Sequence, residues 1–359
     1  MSLSIGIVGL PNVGKSTLFN ALTNNNILAA NYPFATIEPN TGIVPVPDPR
    51  LQELANLYGS TKLLPATVTF VDIAGLVAGA SKGEGLGNKF LANIRQCDAI
   101  VHIVRAFEDN AVLRHDESVV NPIADIEIIN TELILADMQT IENRLPKLQK
   151  EAKAKPAARE QATYLESLLR HLESGAPLSA LPSLDADVIG DLHLLTAKPV
   201  IYAFNVDEAT LTNQAAQQEL MNLVAPARCL FVCAKIEDEL KGLDPADAKE
   251  LLESYGVEET GLEQMIHAAY DILGLQSYLT AGPKEVRAWT IKKGATAPQA
   301  AGVIHTDFER GFIAAQIVDY DDLIAAGSEV AAKSSGKVRT EGKEYVMQPG
   351  DVVEFRFNV

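Results

Sequence analysis

The chain has 359 residues, 47% of them hydrophobic and 21% charged, which leaves room for two to three globular domains with a substantial core. Its longest apolar runs, such as 99–104, are strand-sized, well short of the ~18 residues a membrane span needs. The N-terminus has no basic leader and the three cysteines suit a reducing compartment, so a cytoplasmic chain without membrane association is expected. A formal net charge of -17 excludes a protein that coats nucleic acid through its overall field, and nothing indicates DNA specificity. From Gly282 onward acidic and basic residues nearly balance, so a local nucleic-acid surface there stays open.

Ser4–Val8 is a short apolar run that predicts a buried strand. It leads into Gly9-Leu-Pro-Asn-Val-Gly14-Lys15-Ser16, a GxxxxGK[ST] loop followed by a helical pattern. Glycines let such a backbone wrap a polyphosphate, with successive N–H groups and a helix N-terminus facing the anion. Lys15 would reach the β and γ phosphates, the Ser16 hydroxyl would ligate Mg²⁺, and Thr17 can bond the α phosphate. Asn12, inside the loop, is a candidate to help hold a monovalent cation such as K⁺ beside the β–γ bridge.

Asn31-Tyr-Pro-Phe-Ala-Thr36 reads as a loop, with Thr36 a candidate second Mg²⁺ ligand against the alternative of a plain surface threonine. Asp72-Ile-Ala-Gly75 follows a second apolar run, 67–71. Its carboxylate can hold Mg²⁺ through a water, and the Gly75 N–H can sense the γ phosphate. Ras-like hydrolases place a water-orienting Gln next; here the residue is Leu76, which cannot orient water, so slow turnover tuned by a partner is expected. The candidate catalytic set is Lys15, Asp72, Gly75 and Asn12.

Further apolar runs at 100–104, 200–204 and 229–233 complete the pattern of a mostly parallel, doubly wound α/β sheet. From about 126 to 197 the rhythm changes to two long helical patterns, predicting an inserted helical hairpin or short coiled coil. Its tip, 147–159, carries Lys147, Lys150, Lys153, Lys155 and Arg159 against Glu151 and Glu160, either a solvated turn or a contact to RNA or a protein. Asn205-Val-Asp-Glu208 stands where GTP-binding proteins carry Asn-Lys-x-Asp. The longer Glu208 carboxylate spoils a bidentate fit to guanine, while Asn205 can still bond a purine, so adenine becomes plausible. Cys233-Ala-Lys235 reads as the last base-contacting loop. After about 279, alternating strands suggest a small α+β module.

These motifs, with Gly83-Glu-Gly-Leu-Gly-Asn-Lys-Phe90, resemble the Obg-related, TRAFAC-class P-loop proteins, and within them the YchF family of Obg-like ATPases. The resemblance implies a G domain over 1–125 and 198–278, an inserted helical domain over 126–197, and a ubiquitin-like TGS domain over 279–359. It implies hydrolysis of ATP in preference to GTP, ribosome association, and a link to stress or redox regulation. It places Asn12, Val13, Gly14, Lys15, Ser16 and Thr17 on phosphate, Ser16 and Thr36 on Mg²⁺, and Asn205 and Val206 on adenine. The alternatives are a GTPase of the same fold and a nucleotide-gated ribosome- or RNA-binding scaffold with little turnover.

Overall fold

The computed structural model describes residues 3–24, 40–73, 86–108, 120–240 and 243–358. In chain order the strands are β1 (Ser4–Val8), β2 (Thr41–Pro45), β3 (Leu63–Leu64), β4 (Thr67–Asp72), β5 (Ala99–Ala106), β6 (Val200–Val206), β7 (Arg228–Val232), β8 (Leu275–Ala281), β9 (Val286–Lys292), β10 (Phe312–Asp319), β11 (Arg339–Glu341) and β12 (Asp351–Phe357). Four helices matter below: α1 (Lys15–Asn24), α2 (Arg50–Tyr58), α3 (Pro122–Glu151) and α4 (Pro156–Glu173). The chain divides into two compact units, Met1–Ile43 with Thr69–Met265 and Val44–Val68 with Ile266–Val359.

The first unit is built on a six-stranded sheet ordered β2-β4-β1-β5-β6-β7. From β4 to β7 every neighbouring pair is parallel. Consecutive side chains of β5 and β6 are buried, the pattern of a sheet covered on both faces. The mostly parallel α/β sheet expected from the apolar runs is therefore the one observed. Because β1 has β4 on one side and β5 on the other, its carboxyl end lies at a topological switch point, where open α/β sheets bind ligands.

Parallel β5 and β6 are adjacent, so the chain must cross back between them, and the α3–α4 hairpin makes that crossing. Asn121 caps α3 by accepting the Ala124 N–H, and Pro122 takes the first helical position, where its missing N–H costs nothing. Along its 30 residues α3 spans ~45 Å. Near its start Ile126 packs with Val104, Tyr202 and Phe204 of the sheet. Further on, Ile141, Leu145 and Leu148 share a core with Leu165, Leu168 and Leu172 of α4. Each such buried leucine stabilises the hairpin by ~2–3 kcal/mol. The expected boundary at 126 thus falls inside a continuous helix, because no Gly or Pro interrupts the chain there.

Asp137 anchors the hairpin's return. Fully buried, its carboxylate accepts the Leu195 N–H (2.8 Å), the Thr196 N–H (2.8 Å) and the Thr196 hydroxyl (2.7 Å). Burial pushes this carboxyl up, against three hydrogen bonds that favour the charged form.

The second unit carries a mixed sheet ordered β11-β10-β12-β8-β9-β3. Antiparallel pairs β8/β9 and β10/β12 meet at a parallel β12/β8 junction. The helix Ala297–Ile304 shares a core with Tyr278, Ile291, Ala315 and Ile317, and the Tyr278 hydroxyl donates to the Ala300 carbonyl at 2.9 Å. Residues 44–68, expected from the sequence within 1–125, belong to this unit. There β3 pairs parallel with β9, Arg50 donates to the Pro349 carbonyl at 2.7 Å, and the Tyr320 hydroxyl donates to Glu53 at 2.7 Å.

Candidate active site

The loop after β1 is shaped by what a Cβ would meet. At Gly9 it would lie 2.8 Å from the Ile103 carbonyl and 2.9 Å from Val13 Cγ2, so only glycine lets the loop run this close to β5. Asn12 (φ 63°) and Gly14 (φ 92°) adopt left-handed backbone, which glycine takes freely and Asn at little cost. Val13 points inward and is buried. Helix α1 then opens at Lys15, and its first backward bond runs from the Leu18 N–H to the Gly14 carbonyl at 3.0 Å. The amides of Lys15, Ser16 and Thr17 precede that bond, so the helix gives them no acceptor and its dipole favours an anion in front of them. The Ser16 and Thr17 side chains are exposed beside them.

Strand register supplies the next group. Ile7 lies opposite Asp72 in the β1/β4 pair, which brings the Asp72 carboxylate to Lys15, and the Lys15 ammonium donates to its Oδ1. Their side chains are 10% and 19% exposed, so the pair is largely shielded from water. The Asp72 carboxylate and the Ser16 hydroxyl are hard oxygen donors of the kind Mg²⁺ takes. Thr36, Gly75 and Leu76 lie outside the described residues.

Beyond the loop opens a cavity of about 500 Å³ lined by Asn12, Gly14 and Thr17 on one side and by Asn205–Glu208 and Cys233–Lys235 on the other. Asn205, 3% exposed, bolts the two sides together: its Nδ2 donates to the Val13 carbonyl at 3.0 Å and its Oδ1 accepts the Ala234 N–H at 3.3 Å. Its second amide N–H has no hydrogen-bond acceptor among the described residues. Asp207 is occupied as a helix cap, accepting the Thr210 N–H at 2.9 Å. Glu208 receives the Lys235 ammonium at 2.5 Å, and that contact pushes the lysine pKa up. Burial raises the Cys233 thiol, keeping it protonated and unreactive at neutral pH. His102, the nearby titratable group in β5, is held neutral, its pKa lowered to about 3 by burial.

The model described as "50S ribosome-binding GTPase" matches residues 4–162, and YchF-GTPase_C, described as "Protein of unknown function (DUF933)", matches 275–358. "Ribosome-binding ATPase YchF" of Bacillus subtilis is 51% identical over 367 residues, covering all of both chains. The protein of the same name from Escherichia coli O157:H7 is 51% identical over 365 residues, again covering all of both. The chain belongs to the YchF family. In structure it resembles the Schizosaccharomyces pombe YchF GTPase, with a TM-score of 0.87 and 39% identity over 99% of this chain and 98% of that one. YchF relatives are thus named for two different nucleotides.

Two residues of the cavity give no signal in the sequence of this YchF-family chain beyond their position. Phe107 and Glu108, directly after β5, also line the cavity. Arg105 holds the turn by donating to the Phe107 carbonyl at 3.2 Å, with its guanidinium 4.5 Å from the Phe107 ring centre. The positional signal is that loops at the carboxyl ends of strands flanking a switch point face the ligand.

Proposed function

We propose that this chain is a Mg²⁺-dependent nucleoside-triphosphate hydrolase that binds and hydrolyses ATP in preference to GTP, acting in the cytoplasm as a slow, ribosome-associated switch in translation or stress regulation. The observation that carries the adenine preference is the state of Glu208. Guanine presents its N1–H and N2 amine as donors and needs a short carboxylate free to accept both. Here the carboxylate is one methylene longer and one of its oxygens already holds Lys235. Asn205 offers its remaining N–H to the purine, and Val206 lines the same cavity.

At the phosphate end, Asn12, Val13, Gly14, Lys15, Ser16 and Thr17 form the cradle, and the Lys15 ammonium is the charge placed on the β and γ oxygens. Ser16 and Thr36 would hold Mg²⁺ directly and Asp72 through a water; the bound cation would neutralise charge developing on the transferred phosphoryl oxygens. The Gly75 N–H would report the γ phosphate, and the Asn12 side chain would help hold a K⁺ ion beside the β–γ bridge. Leu76 offers no group to orient water, which supports slow intrinsic turnover. We read the mixed sheet of the second unit as the ubiquitin-like TGS domain of the family, and the α3–α4 hairpin as its inserted helical domain.

Ribosome association rests on the names of relatives such as the B. subtilis protein. Phosphate release from ATP and from GTP, measured with and without purified ribosomes, tests the reading. Faster release from ATP, stimulated by ribosomes, is expected. Release from GTP alone, indifferent to ribosomes, would overturn it.

A further inference from the structure

Strand β12 is fully paired on one side and barely paired on the other. Toward β10 its pairing runs from Asp351 to Phe357, with one bulge at Phe312/Ala314. The Tyr320 N–H donates to the Gly350 carbonyl at 2.8 Å, and the Asn358 N–H to the Gly311 carbonyl at 2.9 Å. Backbone groups alternate sides along an antiparallel strand, so the even-numbered residues of β12 turn theirs toward β10. Those of Val353, Phe355 and Phe357 therefore point the other way, toward β8. On that side the parallel pairing consists of Val352 with Leu279 alone. β8 then follows β9, pairing Ala281 with Val286, into a turn where the Gly282 N–H donates to the Glu285 carbonyl at 3.1 Å. The N–H and C=O groups of Phe355 and Phe357 are left without a ladder partner among the described residues.

A slot opens where β8 leaves β12, a cavity of about 440 Å³ with Ala281–Pro283 at one end and Val353–Phe355 along its side. Its two walls differ, because neighbours on a strand point to opposite faces. On one face Phe355 joins Ile304 and Phe308, and the Phe308 ring stacks on Phe357 with 3.6 Å between centres. Phe357 itself is 37% exposed. On the other face Glu354 stands opposite Gln316, in company with Tyr58, Glu329 and Lys333. The Tyr58 hydroxyl donates to Glu329 at 3.3 Å, and burial with Glu329 and Glu354 nearby pushes it up to about 12. Two carboxylates against one ammonium leave this wall net negative. Arg356, the next charge on that face of β12, is not among the lining residues.

We infer that the open edge of β12 is a docking site for an extended peptide of a partner protein, one whose side chains alternate between apolar and basic. The backbone chooses the class of partner: donors and acceptors repeating every second residue are matched in full only by another strand. The walls choose its sequence. An added strand sends alternate side chains to opposite faces, one set onto Ile304, Phe308 and Phe355, the other toward Glu329 and Glu354. A nucleic-acid backbone would meet those carboxylates with its own negative charge. The slot is built from the second unit alone, so its peptide is independent of the nucleotide reading.

The test is fluorescence anisotropy with the full-length chain and a labelled, end-capped peptide of alternating Lys and Val. A chain of net charge -17 attracts any cationic peptide, so the decisive comparison keeps the charge and removes the strand. The same peptide methylated on alternate backbone nitrogens should bind at least about tenfold more weakly, since it cannot donate along the edge. Glu354→Lys should weaken the Lys-Val peptide at least about fivefold and strengthen an alternating Glu-Val peptide. Glu160→Lys, the same charge change on exposed α4, should leave both affinities near wild type. Plain and methylated peptides binding within twofold of each other would overturn the inference. So would equal losses in the Glu354 and Glu160 variants, or no binding of the plain peptide up to ~1 mM. Dimerisation of the chain alone that the peptide reverses would hand the edge to a second copy, and would likewise overturn it.

Discussion

The two ends of the proposed nucleotide cleft are built from different material. The phosphate end is mostly backbone: Gly9 passing the Ile103 carbonyl, left-handed Asn12 and Gly14, and the amides that open α1. The base end is mostly side chain, with Asn205 spanning Val13 and Ala234 and Glu208 held by Lys235. A backbone cradle accepts the phosphates of any nucleoside triphosphate. Choice between bases therefore falls to a few side chains whose partners can change.

Lys15→Ala should produce the largest effect. It removes the lysine of the proposed phosphate cradle, and truncating a shielded charge contact costs ~3 kcal/mol, about 100-fold in affinity for ATP and GTP alike. The melting temperature should shift little, since Asp72 keeps some solvent access. Equal ATP affinity in calorimetric titration of this variant would place the phosphates elsewhere.

Asn205→Ala tests the bolt between the two ends. It deletes two hydrogen bonds worth ~1 kcal/mol each, so both nucleotides should weaken roughly 10- to 30-fold. A loss confined to ATP would make Asn205 a reader of the base more than a positioning residue.

The smallest effect is a pH dependence rooted just beyond the base loop. Glu237 is buried, accepts the Leu262 N–H at 3.2 Å, and has its pKa raised to about 7, chiefly by burial. The folded chain therefore keeps a proton that the unfolded chain releases near the ordinary carboxylate value. That stability is complete in mild acid and is lost as pH rises through about 7. The loss is on the order of 2 kcal/mol. Melting curves from pH 5 to pH 8 should show the decline in wild type and a flatter profile in Glu237→Gln; matching slopes would remove Glu237 from the explanation.

The difference between the ends also explains what the sequence could disclose. Glycine at positions 9 and 14 is a local requirement, and Lys15 and Ser16 follow at fixed spacing, so the phosphate loop is readable from eight letters. The parallel sheet is readable because buried strands are apolar along their whole length. The Glu208–Lys235 pair joins residues 27 apart, and no local pattern announces it. Segment 44–68 is hard to place for a related reason: β3 has only two residues, too few to mark the sheet edge it joins. Position 126 lies within one helix because α3 serves the sheet with its first turns and the hairpin with its last, without a change in helical pattern.

The measurement that bears most directly on the base end is a side-by-side titration of wild type with ATP and GTP in Mg²⁺. With Glu208 tied to Lys235, ATP should bind at least about tenfold tighter, a difference of ~1.4 kcal/mol. Tighter binding of GTP by the same margin would contradict it.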